Sequence, residues 1–346
     1  MVLLAILAII SLSVANFLSL VNALMRELHQ QLKNFGQVKL NESLAKHTTF
    51  KIGGIAQLFL VVESTDKLVA ALQYLDGEGI GRCIIGGGSN MLAPDQGLDG
   101  VVIQIKNQNL KVKDNFLEAD AGCITVAVAQ ASIQAGLTGF EWGVGVPGTI
   151  GGAVRGNAGA MGGEMSQAVT EVTVYRDGEI LRLTQANCGF NYRESDFKHS
   201  HDVILSVTLA LEKTESKEGM KKALEYLQYR NKTQPQGYAS TGCIFQNAVA
   251  SRTGVSKEKL LGLFPEDAEK IEKFFAIDRI SAGWLVEKSG MKGAKVGQAA
   301  VSDKHGNFVV NLGGATSTEV LTLIEQIKEK VYATTGISIE PEIQII

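Results

Sequence analysis

Apolar positions recur along this chain with two periods, and the two periods predict different elements. Leu28, Leu32 and Phe35, and later Leu68, Leu72 and Leu75, return at the spacing of one helix face. Between them QLFLVV (57–62) is a short apolar run suited to a buried strand. RCII (82–85) predicts a strand that runs straight into the glycine turn GGGSN, and DGVVIQI (99–105) predicts another. AVAQASIQAG (127–136) has helical spacing and stops at Gly136, a residue suited to a helix end. EVTVYR and EILRLT, joined by Asp177-Gly178, form a hairpin signature, because Asp-Gly tolerates the positive φ of a two-residue turn. Alternation from Val203 to Leu211 predicts a strand with one buried face.

Beyond Lys213 the texture changes. Lys213–Lys222 is charged, with Met220 its one bulky apolar residue, and reads as a linker running into a helix through Leu224 and Leu227. Two more helices are expected around Leu260 and Phe274. Thr316 and Glu319 have capping-box spacing, after which Val320, Leu323, Ile324, Ile327 and Val331 line one face. SIEPEIQII (338–346) closes the chain as an expected edge strand, since Pro341 has no N–H for a ladder. The pattern as a whole is α+β, with a glycine-rich domain first and a smaller domain second.

A chain of 346 residues has room for two domains. Its net charge of -3, without any Lys/Arg block, offers no field for nucleic acid. Cys83, Cys123, Cys188 and Cys243 are far apart in sequence, so CxxC redox and zinc pairs are absent and a reducing compartment fits best. His199 and His201 form an isolated HSH that reads as a solvated loop, and no metal constellation is apparent. Residues 1–24 carry no charge and are long enough to span a bilayer, yet lack the basic start of a signal peptide. They are either a membrane segment or lie upstream of a true start at Met25. If they span, Arg26, Lys33 and Lys39 favour a cytosolic body.

The glycines, 38 in all, concentrate in IIGGGSNML (84–92) and in VGVPGTIGGAVRGNAGAMGG (144–163). Such segments serve tight turns or present backbone N–H groups to an anion, and two of them could embrace a diphosphate. Gly143, Gly145 and Gly148 match GxGxxG, but Pro147 interrupts the motif and no clear strand precedes it, so a Rossmann reading is discarded. No GK[ST] is present for a P-loop. In STGCIFQN (240–247), Cys243 has the surroundings of a nucleophile, a ligand, a buried filler or a proton donor. No histidine lies in that motif to serve as its base.

Seven segments in order carry a family resemblance: HTTFKIGG (47–54), GGGSN (86–90), GVPGTIGGAVRGNAGAMGGE (145–164), NYRESDFK (191–198), YRNKTQPQGYASTGCIFQN (229–247), SAGWLVEKSGMKG (281–293) and EPEI (340–343). Together they resemble the UDP-N-acetylenolpyruvoylglucosamine reductase family over nearly everything after residue 40. The resemblance implies an FAD-binding domain of the vanillyl-alcohol-oxidase (PCMH) type over 48–213, preceded by an N-terminal extension (25–47). A smaller α+β substrate domain is implied over 214–346. It also implies FAD and NADPH as cofactors, a UDP-sugar as substrate, a cytoplasmic monomer, and membrane contact only through residues 1–24. FAD is expected on Gly86, Gly87, Gly88, Ser89 and Asn90 of the first loop. In the second loop it is expected on Gly148, Thr149, Ile150, Gly151, Gly152, Asn157 and Gly159.

By the same resemblance Cys243 is the general acid, with Arg193 and Glu342 completing the catalytic set. A thiol with an ordinary pKa near 8.5 releases a proton far more readily than an aliphatic hydroxyl. Arg230, Lys232 and Asn247 are expected to contact the substrate phosphates. Cys83, Cys123 and Cys188 are expected to be buried filler. The chain departs from the family at Gln246, where lysine is frequent, and at Arg155, where an apolar or aromatic residue is frequent. The short segment between Arg193 and Arg230 matches the subgroup lacking an extra tyrosine loop. An FAD oxidase of the same fold is the alternative activity, and it has no need of Cys243 or Glu342.

Overall fold

The computed structural model describes residues 25–346. The leader discussed above, residues 1–24, lies outside the described residues. Among the described residues no helix is long and apolar enough to cross a membrane.

The first sheet comprises β1 (Gln37–Ser43), β2 (Ile55–Val62), β3 (Arg82–Ile85) and β4 (Leu98–Ile105), in the order β1-β2-β4-β3. β1 pairs antiparallel with β2, whereas β4 runs parallel to both β2 and β3. Parallel neighbours need a crossover, and α1 (Thr65–Gly77) supplies it between β2 and β3. The Ser64 side chain starts α1 by accepting from the N–H of Lys67, and Leu68, Ala71, Leu72 and Leu75 bury its apolar face. The run predicted at 57–62 is the central strand β2, covered on both faces from Leu58 onward.

The second sheet is antiparallel throughout: β5 (Leu110–Lys113), β6 (Phe116–Asp120), β7 (Val169–Arg176), β8 (Glu179–Thr184) and β9 (Val203–Ala210), in the order β8-β7-β9-β6-β5. The Asp177-Gly178 turn is present as expected, with φ of 49° and 90° at its two residues. Between β6 and β7 lie α2 (Thr125–Gln134) and α3 (Ile150–Arg155). Both sheets feed one core: Leu58, Leu60 and Ile103 from the first meet Leu117, Val172 and Val207 from the second.

The segment read as a linker at Lys213–Lys222 is helical from Ser216 onward, as part of α4 (Ser216–Thr233). Its buried residues are Gly219, which lies against Ile133 of α2, and Ala223, which joins the first core, without any bulky apolar stripe. Leu224, expected on the buried face, is 50% exposed. A second core gathers around α5 (Lys257–Leu263), α6 (Ala268–Ala276), α7 (Ala282–Lys288) and α8 (Ser317–Thr335), with a three-stranded sheet at 295–311. Thr316 and Glu319 form the expected reciprocal cap of α8. This core also takes in Phe50, Ile52 and Leu92 from the N-terminal half.

The chain end departs from a simple edge strand. Only Gln344–Ile345 pairs in a ladder, parallel to Met91–Leu92, while Ile337, Ile339 and Ile343 anchor the segment by burial. That pairing stitches the tail to the end of the first glycine loop.

Candidate active site

The glycine loops occupy two element boundaries. Gly86–Asn90 follows β3, and Gly148-Thr149 leads into α3. They lie in direct contact. A methyl group on Gly87 would sit 2.8 Å from the Gly148 Cα, and one on Gly148 would sit 2.4 Å from the Ser89 Oγ. Ser89 Oγ donates to the carbonyl of Pro147 at 3.1 Å, tying the loops together. These glycines are needed for close approach, not for flexibility.

Beside them opens a cleft of about 1280 Å³, lined by Gly86, Gly87, Gly88, Ser89, Asn90, Thr149 and Gly152 among others. That exceeds the usual small-molecule pocket of about 300–1,000 Å³ and suits a ligand of dinucleotide size. Gln104 donates its amide to the Gly86 carbonyl, yet its Oε1 is buried without a partner, a polar atom left over at the loop. The FAD expected from sequence fits this wall: glycine backbone, an orphaned acceptor and the cleft-lining cation Arg155, whereas Arg82 and Arg176 are paired with Asp76 and Asp202 and Lys198 is turned onto the Arg193 carbonyl.

The other predicted cofactor residues take different places. Ile150 is fully buried, and the Ile150 and Gly151 N–H groups donate to the carbonyls of Cys123 and Ala121. Gly148 stands behind the wall, against Ser89. Asn157 is fully buried, its side chain donating to the Asn191 carbonyl and accepting from the Ser166 N–H. Gly159 accepts from Arg193.

Arg193, Cys243 and Glu342, distant in sequence, come together. Asn191 and Glu194 exchange backbone hydrogen bonds of 3.0 Å, leaving Tyr192 and Arg193 at the corner of a tight turn. Arg193 has φ of 53°, a left-handed conformation that L residues adopt reluctantly. Its Nη2 donates to the Gly159 carbonyl at 2.6 Å, and its Nε lies 3.4 Å from Glu342 Oε1. The Glu342 N–H donates to the Ile244 carbonyl at 2.7 Å, next to Cys243, while its own carbonyl accepts from the Asn90 side chain at 3.1 Å. One residue thus touches both the cysteine strand and the cofactor loop. Asn307 sets the register of that strand, its side chain donating to the Phe245 carbonyl and accepting from the Phe245 N–H at 2.8 Å each.

Burial, reinforced by the nearby Glu342 carboxylate, pushes the Cys243 thiol up to about 12, although Arg193 and Arg230 pull the other way. Burial also raises Glu342, against the opposing pull of Arg193 and Lys198. A neutral thiol can donate a proton but is a poor nucleophile. Cys123 and Cys188 are buried filler as expected, whereas Cys83 is half-buried and lines the cleft.

Of the three expected phosphate contacts, Arg230 comes close to the site. It lies across Gly145, where a methyl group would meet its Cδ at 2.4 Å, and its charge acts on Cys243. Lys232 is exposed on the last turn of α4. Asn247 spends its Oδ1 on the Ala282 N–H at the start of α7. Sequence reasoning passed over Lys198 and Asn307. Lys198 stood inside a quoted motif, whereas no local signal marked Asn307.

Fold and site define an FAD-binding oxidoreductase. Residues 56–184 match the family model for an FAD binding domain, and residues 234–346 match that for the C-terminal domain of UDP-N-acetylenolpyruvoylglucosamine reductase. The chain belongs to the UDP-N-acetylenolpyruvoylglucosamine reductase family. The enzyme of that name from Anoxybacillus flavithermus is 34% identical over 328 residues, covering 93% of this chain and 99% of the relative. That from Caldanaerobacter subterraneus is 35% identical over 325 residues, covering 93% and 98%. The crystal structure of the Thermus caldophilus enzyme superposes with a TM-score of 0.70 at 30% identity, covering 89% of this chain and 98% of that one.

Proposed function

We propose that this chain reduces UDP-N-acetylglucosamine enolpyruvate to UDP-N-acetylmuramate, a step of peptidoglycan precursor synthesis, with electrons drawn from NADPH. FAD, which the loop residues Gly86–Asn90 with Thr149 and Gly152 would hold, would supply the hydride transfer between NADPH and C3 of the enol ether. The chain's own task is to manage the charge that then develops at C2 and on the adjacent carboxylate.

In this reading Cys243 gives its S–H proton to C2, the new C–H bond forms, and the thiolate is reprotonated from solvent. The raised thiol is protonated at neutral pH and so available to donate, and as a weaker acid it relies on the strong basicity of the charge at C2 to take the proton. Arg193 offers a planar fork to the substrate carboxylate as negative charge grows there. Glu342 orients Arg193, its carboxyl raised by burial against the opposing pull of Arg193 and Lys198. Arg230 and the cleft-side loops receive the UDP-sugar and cofactor phosphates. The reading carries with it a cytoplasmic location and a substrate unit over residues 214–346.

The observation that carries it is the meeting of a cysteine, an arginine and a carboxyl group beside a glycine loop, with Glu342 bonded to Asn90. The test separates the two half-reactions by anaerobic stopped flow. Cys243→Ala is expected to leave flavin reduction by NADPH nearly intact and to slow reoxidation by the enolpyruvyl substrate on the order of 10²–10⁴-fold. Cys243→Ser is expected to be milder. Equal reoxidation rates in wild type and Cys243→Ala refute the assignment. Failure of NADPH to reduce the flavin, with rapid reoxidation by oxygen, favours an oxidase.

A further inference from the structure

Lys198 ends a short 3-10 turn (Asp196–Lys198) and lines the cofactor cleft, yet its side chain is only 9% exposed. A buried ammonium needs strong partners. Its Nζ donates to the carbonyl of Arg193 at 2.6 Å and stands 3.7 Å from Glu194 Oε2. The carbonyl contact is therefore the close one, and it falls on the residue at φ 53°. Positive φ at a non-glycine residue persists only where neighbours over-determine it. Arg193 is held at both ends: Gly159 and Glu342 take its guanidinium, and Lys198 takes its backbone oxygen. Releasing the backbone end lets the turn relax toward negative φ, which swings the side chain off Glu342.

We propose that Lys198 is a positioning residue that clamps the Arg193 carbonyl, holding the strained turn so that the guanidinium stays aimed at the substrate carboxylate. The inference rests on the proposed role of Arg193. The clamp acts through Arg193, so its removal matters only while Arg193 is present. A charge acting directly on cofactor or substrate would matter in either case.

The experiment is a double-mutant cycle on the flavin-loaded enzyme, reading reoxidation by the enolpyruvyl substrate, FAD affinity by flavin fluorescence, and melting temperature. Coupled neighbours interact by an amount equivalent to roughly 2–150-fold in rate. Lys198→Met is therefore expected to slow reoxidation about 10–100-fold in the wild-type background and less than about 2-fold in Arg193→Ala. Lys198→Arg, which keeps a cationic donor, is expected to recover most of the rate. Glu194→Gln, which removes the charge facing Lys198 at the longer distance and weakens the contact with His199 while keeping an oxygen for the Ser195 N–H, is expected to have little effect on reoxidation. FAD affinity is expected to stay within about threefold throughout, a change too small to reflect a lost charged contact.

Full multiplicativity of Lys198→Met and Arg193→Ala overturns the clamp, as does a Lys198→Met enzyme as fast as wild type. If Lys198→Met fails to fold, Lys198→Gln compared with Lys198→Arg decides by the same criterion. If Arg193→Ala itself reoxidises at the wild-type rate, the proposed function of the site falls instead.

Discussion

Gly88 offers a test of how the cofactor loop works. It has φ of 60°, and a methyl group placed on it would lie 2.0 Å from the His47 carbonyl oxygen and 3.0 Å from the Thr48 Cα. The obstruction is backbone and cannot swing aside as a side-chain tip would. His47 is itself fixed, its ring stacked on Phe59 at 4.0 Å and its Nε2 within 2.9 Å of Glu42. In Gly88→Ala the left-handed conformation costs about 1–2 kcal/mol. Moving the loop to relieve the clash also strains the bond from the Thr49 N–H to the Gly88 carbonyl, for about 1 kcal/mol more. A total of about 2–3 kcal/mol corresponds to roughly a 30–150-fold loss if it is expressed as FAD affinity. Titrating apo-protein with FAD by fluorescence quenching measures that loss, and thermal melting of the apo-protein shows whether part of it becomes global destabilisation. The control is Gly262→Ala, in α5 with open space around it, which is expected to be neutral or stabilising by up to about 1 kcal/mol. A Gly88→Ala protein that binds FAD within threefold of wild type and melts at the same temperature refutes the close-approach argument for the loop.

Two further outcomes concern pH. With the Cys243 thiol raised to about 12, the proton-donating form persists, and reoxidation is expected to show no thiol ionisation between about pH 6 and 9. A rate that climbs with an apparent pKa near 8.5 contradicts a neutral donor. The linked stability is fully present below the unfolded pKa of about 8.5 and falls as pH rises toward the folded value, measurable by denaturant titration. Asp267 behaves in the opposite sense. Hydrogen bonds from Lys270, Lys288 and the Trp284 indole hold its carboxyl well below the usual range. Its contribution is present above about pH 4 and is lost as pH falls through the folded value. Asp267→Asn is expected to cost about 2 kcal/mol at pH 7 by urea unfolding, with the gap to wild type closing under acid.

Much of the local architecture was readable without coordinates. Thr316 and Glu319 announced the start of α8, and Asp177-Gly178 announced the β7–β8 hairpin, because caps and tight turns depend on residues within a few positions of one another. Where a segment answers to distant partners, local reading failed. The charged stretch after Lys213 turned helical because Gly219 fits against Ile133 of α2 and Ala223 is buried in the first core, a reason that lies in distant segments. Asn247 was expected only as a phosphate contact, but its Oδ1 also accepts from the Ala282 N–H at the start of α7, a partner 35 positions away. The tail resembled an edge strand, yet burial of Ile337, Ile339 and Ile343 holds most of it in place.

The same division runs through the site. Resemblance of the ordered motifs to a family put Arg193, Cys243 and Glu342 forward as candidates, and the glycine clusters sufficed to locate two loops of close backbone approach. Only the folded chain shows that Glu342 bonds to Asn90 across 252 positions, that Arg230 lies over Gly145, and that Lys198 grips the Arg193 backbone. Periodicity and turn chemistry act over a few residues and leave their mark in sequence. The surroundings that push the Cys243 thiol up, and the carbonyls that hold the arginine, come from segments joined only when the separate cores close against one another.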